Sequence, residues 1–391
     1  MRTMSITAVR LVRQVLGIPG SRLVAWVLLA SSVRAADPDA AAVDGFAIPQ
    51  PGRTFQFPRD HGSHPEFRIE WWYITGHLTT ADGARHGMQA TFFRRAGARA
   101  DLTARDASTN FASDEVFLAH MAWLDVSAGR FRHEERLNRR GWDASAATQQ
   151  LAVRNGNWSL REVGADTFEL HGGIQAEVSW KLTLHPRKPL VIFGTNGVSR
   201  KAVEPWAASH YLTFPRLDVT GEWRRGTNSQ AVRGEAWMDH ELSSSQLGAG
   251  QAGWDWACVQ LRDGRELMAY RMRREDGTTD PFSTVAWIGR DGLVRQFGSD
   301  RLTWKTTGRW RSPRSKAEYP TTVMLEVPGV DGGPGESLRL EPLAADQELS
   351  GLGGFIPYWE GACRVLDSNG REIGSAFLEM TGYAGSLRKA L

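Results

Sequence analysis

Two cysteines, Cys258 and Cys363, are all that a chain of 391 residues contains. A disulfide framework is therefore excluded, and an oxidising compartment would permit one bridge at most. Both lie in strand-like runs, and a bridge or two separate buried thiols are equally open. Long apolar runs are also missing: the longest, Leu23 to Ala30, extends with Ser31 to Val33 to about eleven residues against the roughly 20 that a spanning helix needs. No G-x-S-x-G occurs, and Ser243-Ser244-Ser245 lacks the glycines of a nucleophile elbow, which argues against a serine hydrolase. No dinucleotide or phosphate-loop pattern precedes a helix, so no cofactor is expected. Asp60-His61-Gly62-Ser63-His64 offers metal-ligating types, but no third histidine follows at a zinc spacing, and no metal is expected.

An excess of charge is lacking as well. The formal net charge is +3, yet residues 1–35 hold five arginines and no acid, and the remainder carries 42 basic against 44 acidic residues. Nucleic acid is not implied as a partner. Arg2, Arg10, Arg13 and Arg22, then the run Leu23 to Ala30, then Val33-Arg34-Ala35 form a basic segment, an apolar segment and small residues at a cleavage position. That order is the pattern of a secretory signal peptide. Cleavage is expected after Ala35, giving a periplasmic or secreted protein of about 355 residues, more than one core usually accommodates.

What the chain does hold is 16 Trp and 41 Gly, with period-two alternation and turn dipeptides from Ile69 onward. Ile69 to Leu78, the turn Ala81-Asp82-Gly83 and Met88 to Arg94 read as a hairpin. Further strands are expected at Val116 to Val126, Ala176 to Leu184, His210 to Phe214 and Asp218 to Trp223. The spacing is that of antiparallel barrels and sandwiches, and no long stretch has a convincing helical period. After Gly250 the pattern restarts. Trp254 to Leu261, Asp263-Gly264 and Glu266 to Arg273 parallel the first hairpin, with Trp254 in the place of Trp71 and Trp256 in that of Tyr73. The fold class expected is all-β with two domains, 50–245 and 250–385, after a signal peptide at 1–35.

Three clusters could carry chemistry. In Trp237-Met238-Asp239-His240-Glu241, strand alternation puts Trp237, Asp239 and Glu241 on one face and His240 on the other. Two carboxyls beside an indole compete for ionisation, and a buried, neutral one can donate a proton. An acidic pair simply bonded to donors at a domain junction is the plainer reading. In Ser209-His210-Tyr211-Leu212, His210 and Leu212 share a face; His210 could relay a proton or serve as a bonded rim residue. The aromatic set Trp71, Trp72, Tyr73, Trp254, Trp256, Tyr358 and Trp359, with Glu70 and Glu360 as polar points, could floor a ligand cavity or fill cores.

These residues carry a family resemblance. Pro58-Arg59-Asp60-His61-Gly62, Glu70 to Gly76, Ser209-His210-Tyr211, Ala236 to Glu241, Gly253 to Trp256 and Tyr358-Trp359-Glu360-Gly361 resemble the AttH-like secreted hydrolases. That family is related to carotenoid 1,2-hydratases and built from two lipocalin-like barrels. The resemblance spans roughly residues 50 to 385. It implies Asp239 as the acid that protonates an alkene and His210 in the same site. Trp237 stands where the hydratase branch has Tyr, and Leu212 where it has Trp.

The enzyme reading follows: a hydrolase or hydratase acting by acid catalysis on an apolar, lipid- or isoprenoid-like substrate near the domain junction. Asp239 and His210 would be catalytic, and Trp237, Leu212, Glu70, Trp71, Tyr73, Glu241, Trp254 and Tyr358 would contact substrate. The alternative is a non-catalytic carrier for a hydrophobic ligand. Envelope or transporter partners and a monomer or weak dimer are expected in either case.

Overall fold

The computed structural model describes residues 42–97, 115–330, 333–351 and 356–387; the expected signal peptide and its cleavage point lie outside them. Among the described residues the chain is strands and turns, with two 3-10 turns at Arg59–His61 and Ser299–Arg301. Thirteen strands form one antiparallel sheet and ten form a second, and the chain passes from one to the other between strands Asn228–Ser245 and Gln251–Leu261.

Alternation explains the outer strands. In Thr167–Ile174 the residues Phe168, Leu170, Gly172 and Ile174 are buried while those between them are partly exposed, as expected of a sheet packed on one face. Such strands curl around a core holding Trp72, Ile74, Trp158, Leu182 and Met238. The second sheet wraps its own core of Val259, Trp287, Leu325, Trp359 and Leu378.

The central strands are buried on both faces. Ile69–Thr80, Asn228–Ser245 and Gln251–Leu261 each point one face into their own core and the other toward the opposite sheet. Between the sheets lies a third cluster, in which Tyr73, Tyr211 and Trp237 meet Trp256, Cys258, Tyr270 and Met272. The sheets come close at Gly87, where an added Cβ would lie 2.7 Å from the Ala362 Cβ on the other sheet.

Three expectations change. Both cysteines are free and buried: Cys258 faces the inter-sheet cluster and Cys363 the second core, so the bridge left open does not form. His210 to Phe214 and Asp218 to Trp223 are parts of one strand, Ala208–Arg225, whose pairing shifts register between Phe214 and Leu217. Pro215 has no N–H to give to the ladder, so the strand bulges there and continues. The strand Arg130–Arg139 went unrecognised because its sequence is charged, which suits its place at the end of the first sheet.

Candidate active site between the two sheets

The two central hairpins correspond position by position. In the first sheet Tyr73 pairs with Asp239 on one side and Thr91 on the other. In the second, Trp256 pairs with Glu379 and Tyr270. The side chains from these positions point into the space between the sheets, where the Tyr73 and Trp256 rings meet edge to face at 5.3 Å.

A chamber of about 80 Å³ opens there. Trp71, Tyr73, Tyr211, Trp254, Trp256 and Tyr358 supply most of its wall, and Lys201, Asp239, Glu241 and Glu379 its ionisable groups. A groove of about 490 Å³ shares Trp71, Phe93, Trp254, Tyr358 and Glu379 with it and adds Ile69, Val116, Leu118, Leu137 and Ile356. The groove is in the size range of a small-molecule site, whereas the chamber holds only one end of such a molecule.

Asp239 is 3% exposed. Its Oδ1 accepts from Thr213 Oγ1 at 2.6 Å and Trp237 Nε1 at 2.7 Å, and its Oδ2 from the Tyr211 hydroxyl at 2.7 Å. Burial raises its pKa to about 7, with Glu241 adding to the rise, although the three donors favour the carboxylate. The result is a carboxyl that exchanges its proton near neutrality. Tyr211 is itself fixed by Trp256 Nε1, which donates to its oxygen at 2.9 Å. Glu241 accepts from Ser209 Oγ and lies 3.4 Å from Lys201 Nζ. Lys201 in turn stands over the Tyr270 and Tyr211 rings, 4.2 Å and 4.8 Å from their centroids.

The second sheet brings its own carboxyls. Trp254 Nε1 donates to Glu379 Oε2 at 3.1 Å, and the Tyr73 hydroxyl donates to Glu360 Oε1. Burial pushes Glu379 up to about 7 and Glu360 well above its ordinary value, the latter also through Glu379 beside it. Glu360 Oε2 is buried without a hydrogen-bond partner. Tyr358 bonds His120 Nδ1 at 2.7 Å, and burial lowers His120 to about 4.

Of the residues singled out in the sequence, Asp239, Glu241, Trp71, Tyr73, Trp254 and Tyr358 meet in the chamber, and Trp237 stands behind Asp239 as a donor. His210 and Leu212 do not join them. Alternation turns both to the far face of the sheet, where Leu212 packs with Phe67 and Leu242, and His210 is enclosed by Phe55 and Phe67 with Nδ1 2.7 Å from Gly197 O. The pairing of Asp239 with His210 is thus corrected: the neighbours on the Asp239 face are Thr213 and Tyr211. Trp72 and Trp359 likewise turn into the two cores.

Glu70 lines the groove together with Arg94, but its carboxyl belongs to a buried chain of charges on the far face and not to the chamber. His64 lies between Asp60 and Glu70, with Nε2 to Asp60 Oδ1 and Nδ1 to Glu70 Oε1 both at 2.9 Å. His240 Nε2 reaches the same Glu70 oxygen at 2.9 Å, and Arg94 Nε donates to the other at 3.0 Å. Burial works against ionisation, but these bonds outweigh it, holding Glu70 well below and His64 above their ordinary values. This chain pins the turn at Arg59–His61 to the sheet. His64, Glu70 and His240 offer three ligand atoms within 4.8 Å of one another. A metal ion there would have to displace both bonds to Glu70 Oε1 and lie beside the Arg94 guanidinium, which disfavours it.

Sequence reasoning missed Tyr211 and Thr213 as partners of Asp239, and Lys201, Phe93 and Glu379 as chamber residues. The duplication contained the signal for Glu379, which pairs with the second hairpin at the register place where Asp239 pairs with the first.

No curated protein matches the chain. The crystal structure of kievitone hydratase from Nectria haematococca superposes with a TM-score of 0.61 at 13% identity, covering 81% of this chain and 89% of that one, a likeness of fold. The crystal structure of an AttH protein from Nitrosomonas europaea gives a TM-score of 0.76 at 33% identity, covering 86% of this chain and 100% of that one. The AttH-like family model matches residues 48–383, and the chain belongs to the AttH-like family.

Proposed function

We propose that this protein is an exported hydratase or hydrolase that uses Asp239 as a general acid on an apolar, lipid- or isoprenoid-like substrate. The observation that carries the reading is Asp239 itself, a buried carboxyl at about 7 facing an aromatic chamber. The groove beside it supplies an apolar surface for the rest of the molecule.

For an alkene, the Asp239 proton passes to one carbon as the π pair forms the C–H bond, leaving a cation on the other. Aromatic faces such as those of Trp71, Trp254 and Trp256 stabilise positive charge, and water closes the C–O bond and releases a proton. A general acid matched to neutral pH contributes roughly 10²–10⁴-fold. For an ester or amide the same proton would go to the leaving group.

Incubating the protein with acyclic isoprenoid alkenes such as squalene in ¹⁸O-labelled water, with mass analysis of the products, tests this. The expected result is one labelled hydroxyl per product and its loss in Asp239→Asn, whereas unchanged turnover in that variant removes Asp239 as the acid. The size of the groove also suits a carrier. Native mass spectrometry of protein from its own host would favour carriage if it found a retained ligand that never turns over.

A further inference from the structure

Glu379 reaches the same chamber as Asp239 from the opposite sheet, and it also lines the groove, at the point where the two spaces join. Its place is set by the duplication, since Glu379 pairs with Trp256 as Asp239 pairs with Tyr73. The chamber therefore has a carboxyl from each sheet at equivalent register positions, with Glu241 beside Asp239 engaged by Ser209 and Lys201.

We propose that Glu379 is the second proton-handling residue of this site, the base that takes the proton released when water attacks the cation made by Asp239. The inference rests on the reading of Asp239 as the acid. The step balances: the Asp239 proton goes to carbon, a water oxygen bonds the cationic carbon, and the proton that oxygen loses goes to the Glu379 carboxylate. Exchange with solvent returns Glu379 to its ionised form and Asp239 to its neutral one.

The surroundings of Glu379 suit that task. Trp254 Nε1 donates to Oε2, which fixes the carboxyl without quenching it by an ion pair. Across the ladder is Glu360, with one oxygen taken by Tyr73 and the other buried and unpartnered. An unpartnered buried oxygen is costly, and a water or a substrate hydroxyl at this place would satisfy it. The charged and titratable groups turned toward Glu379 are Glu360 and Tyr358 from its neighbour strand, while Asp255, on the opposite face of its own strand, acts on it only through its charge. Around the rest of the chamber they are Tyr73, Tyr211, Tyr270, Asp239, Glu241 and Lys201. Lys201 is held by Glu241, and Asp255 by Arg271 and Arg273. Burial raises both Glu379 and Asp239 to about 7, so each can change protonation near neutrality.

A mimic of the cation tests the arrangement without a known substrate. N,N-dimethyldodecylamine, protonated and below its micelle concentration, carries a positive head on an apolar chain; dodecanol is its neutral counterpart. Calorimetric titration at pH 8, where both carboxyls are ionised, should show the amine bound more tightly than the alcohol. Asp239→Asn and Glu379→Gln should each weaken the amine about tenfold or more, as loss of one partner of a desolvated charge pair does, and leave dodecanol unchanged. Glu379→Asp, which keeps the charge, should restore part of the affinity and guards against a folding defect in the Gln variant. Loss with Asp239→Asn but wild-type affinity in Glu379→Gln overturns Glu379 and leaves the acid standing. Wild-type affinity in both variants, or no preference for the amine in the unaltered protein, overturns both.

Discussion

Asp239 owes its balance to opposing forces of similar size, so small changes around it should move it predictably. The Tyr211 hydroxyl is one of three donors favouring the carboxylate, and it accepts from Trp256. Tyr211→Phe should therefore raise the Asp239 pKa further, moving the alkaline limb of any turnover profile to higher pH. It should also cost about 1–3 kcal/mol of stability by leaving a buried indole N–H unpaired. A pH series of rates and a denaturant titration read the two effects separately. His210→Ala is the contrasting case: its ring is enclosed by Phe55 and Phe67 on the far face. It should lower stability by a few kcal/mol, in the range of other large-to-small core changes, while the turnover profile keeps its shape. Alternation already put His210 and Tyr211 on opposite faces in the sequence. What it could not supply was the cross-strand register that brings Tyr211 and Thr213, instead of His210, to Asp239.

Strands explain why the acid was legible and its neighbours less so. Period two identifies the face shared by Trp237, Asp239 and Glu241 because that pattern is local. Glu379 and Lys201 arrive from strands and turns far away in the chain, and only the pairing of sheet against sheet brings them in. The same long-range packing holds the sheets together at the end away from the chamber. There Glu266 of the second sheet is fully buried between Lys188 and Arg216 of the first, at 2.5 Å and 2.6 Å. Gln260 adds bonds to Pro215 O at 2.8 Å and Ala236 O at 2.9 Å. Removing one member of such a buried ionic group leaves the others unpaired, so Glu266→Ala should cost about 3–5 kcal/mol. Gly87→Val should act on the other side of the same interface, because a side chain there meets Ala362 before it meets anything that can move. About 1–3 kcal/mol is expected for such overpacking, and both variants are checked by guanidinium titration.

Across the whole molecule, buried groups of opposite kinds set how stability responds to pH. Asp239 and Glu379 are raised from 3.8 and 4.5 to about 7, and Glu360 is raised well above its ordinary value with them. The folded state thus holds protons that the unfolded chain releases, and the stability present below about pH 4 is lost as pH rises to 7. His61, His77 and His120 are lowered from 6.5 to about 4, chiefly by burial. The unfolded chain binds protons there that the folded one does not, so stability falls as pH drops from 6.5 toward 4. The two sets act over the same window with opposite slopes, each tenfold change in a group's proton affinity being worth roughly 1.4 kcal/mol before screening. Their sum predicts a shallow dependence between pH 4 and 6.5. Below pH 4 nothing opposes the loss of the bonds from Asp60 and Glu70, both depressed despite burial, to His64 and His240, and stability should fall steeply. Replacing Asp239 by Asn and Glu379 by Gln in one chain removes part of the first set and leaves the histidines. Guanidinium midpoints for that double variant should then climb between pH 4 and 6.5, where the unaltered protein stays nearly level. A variant curve parallel to the unaltered one would mean that neither carboxyl is held neutral inside the fold, and the proton chemistry assigned to the chamber would have no source.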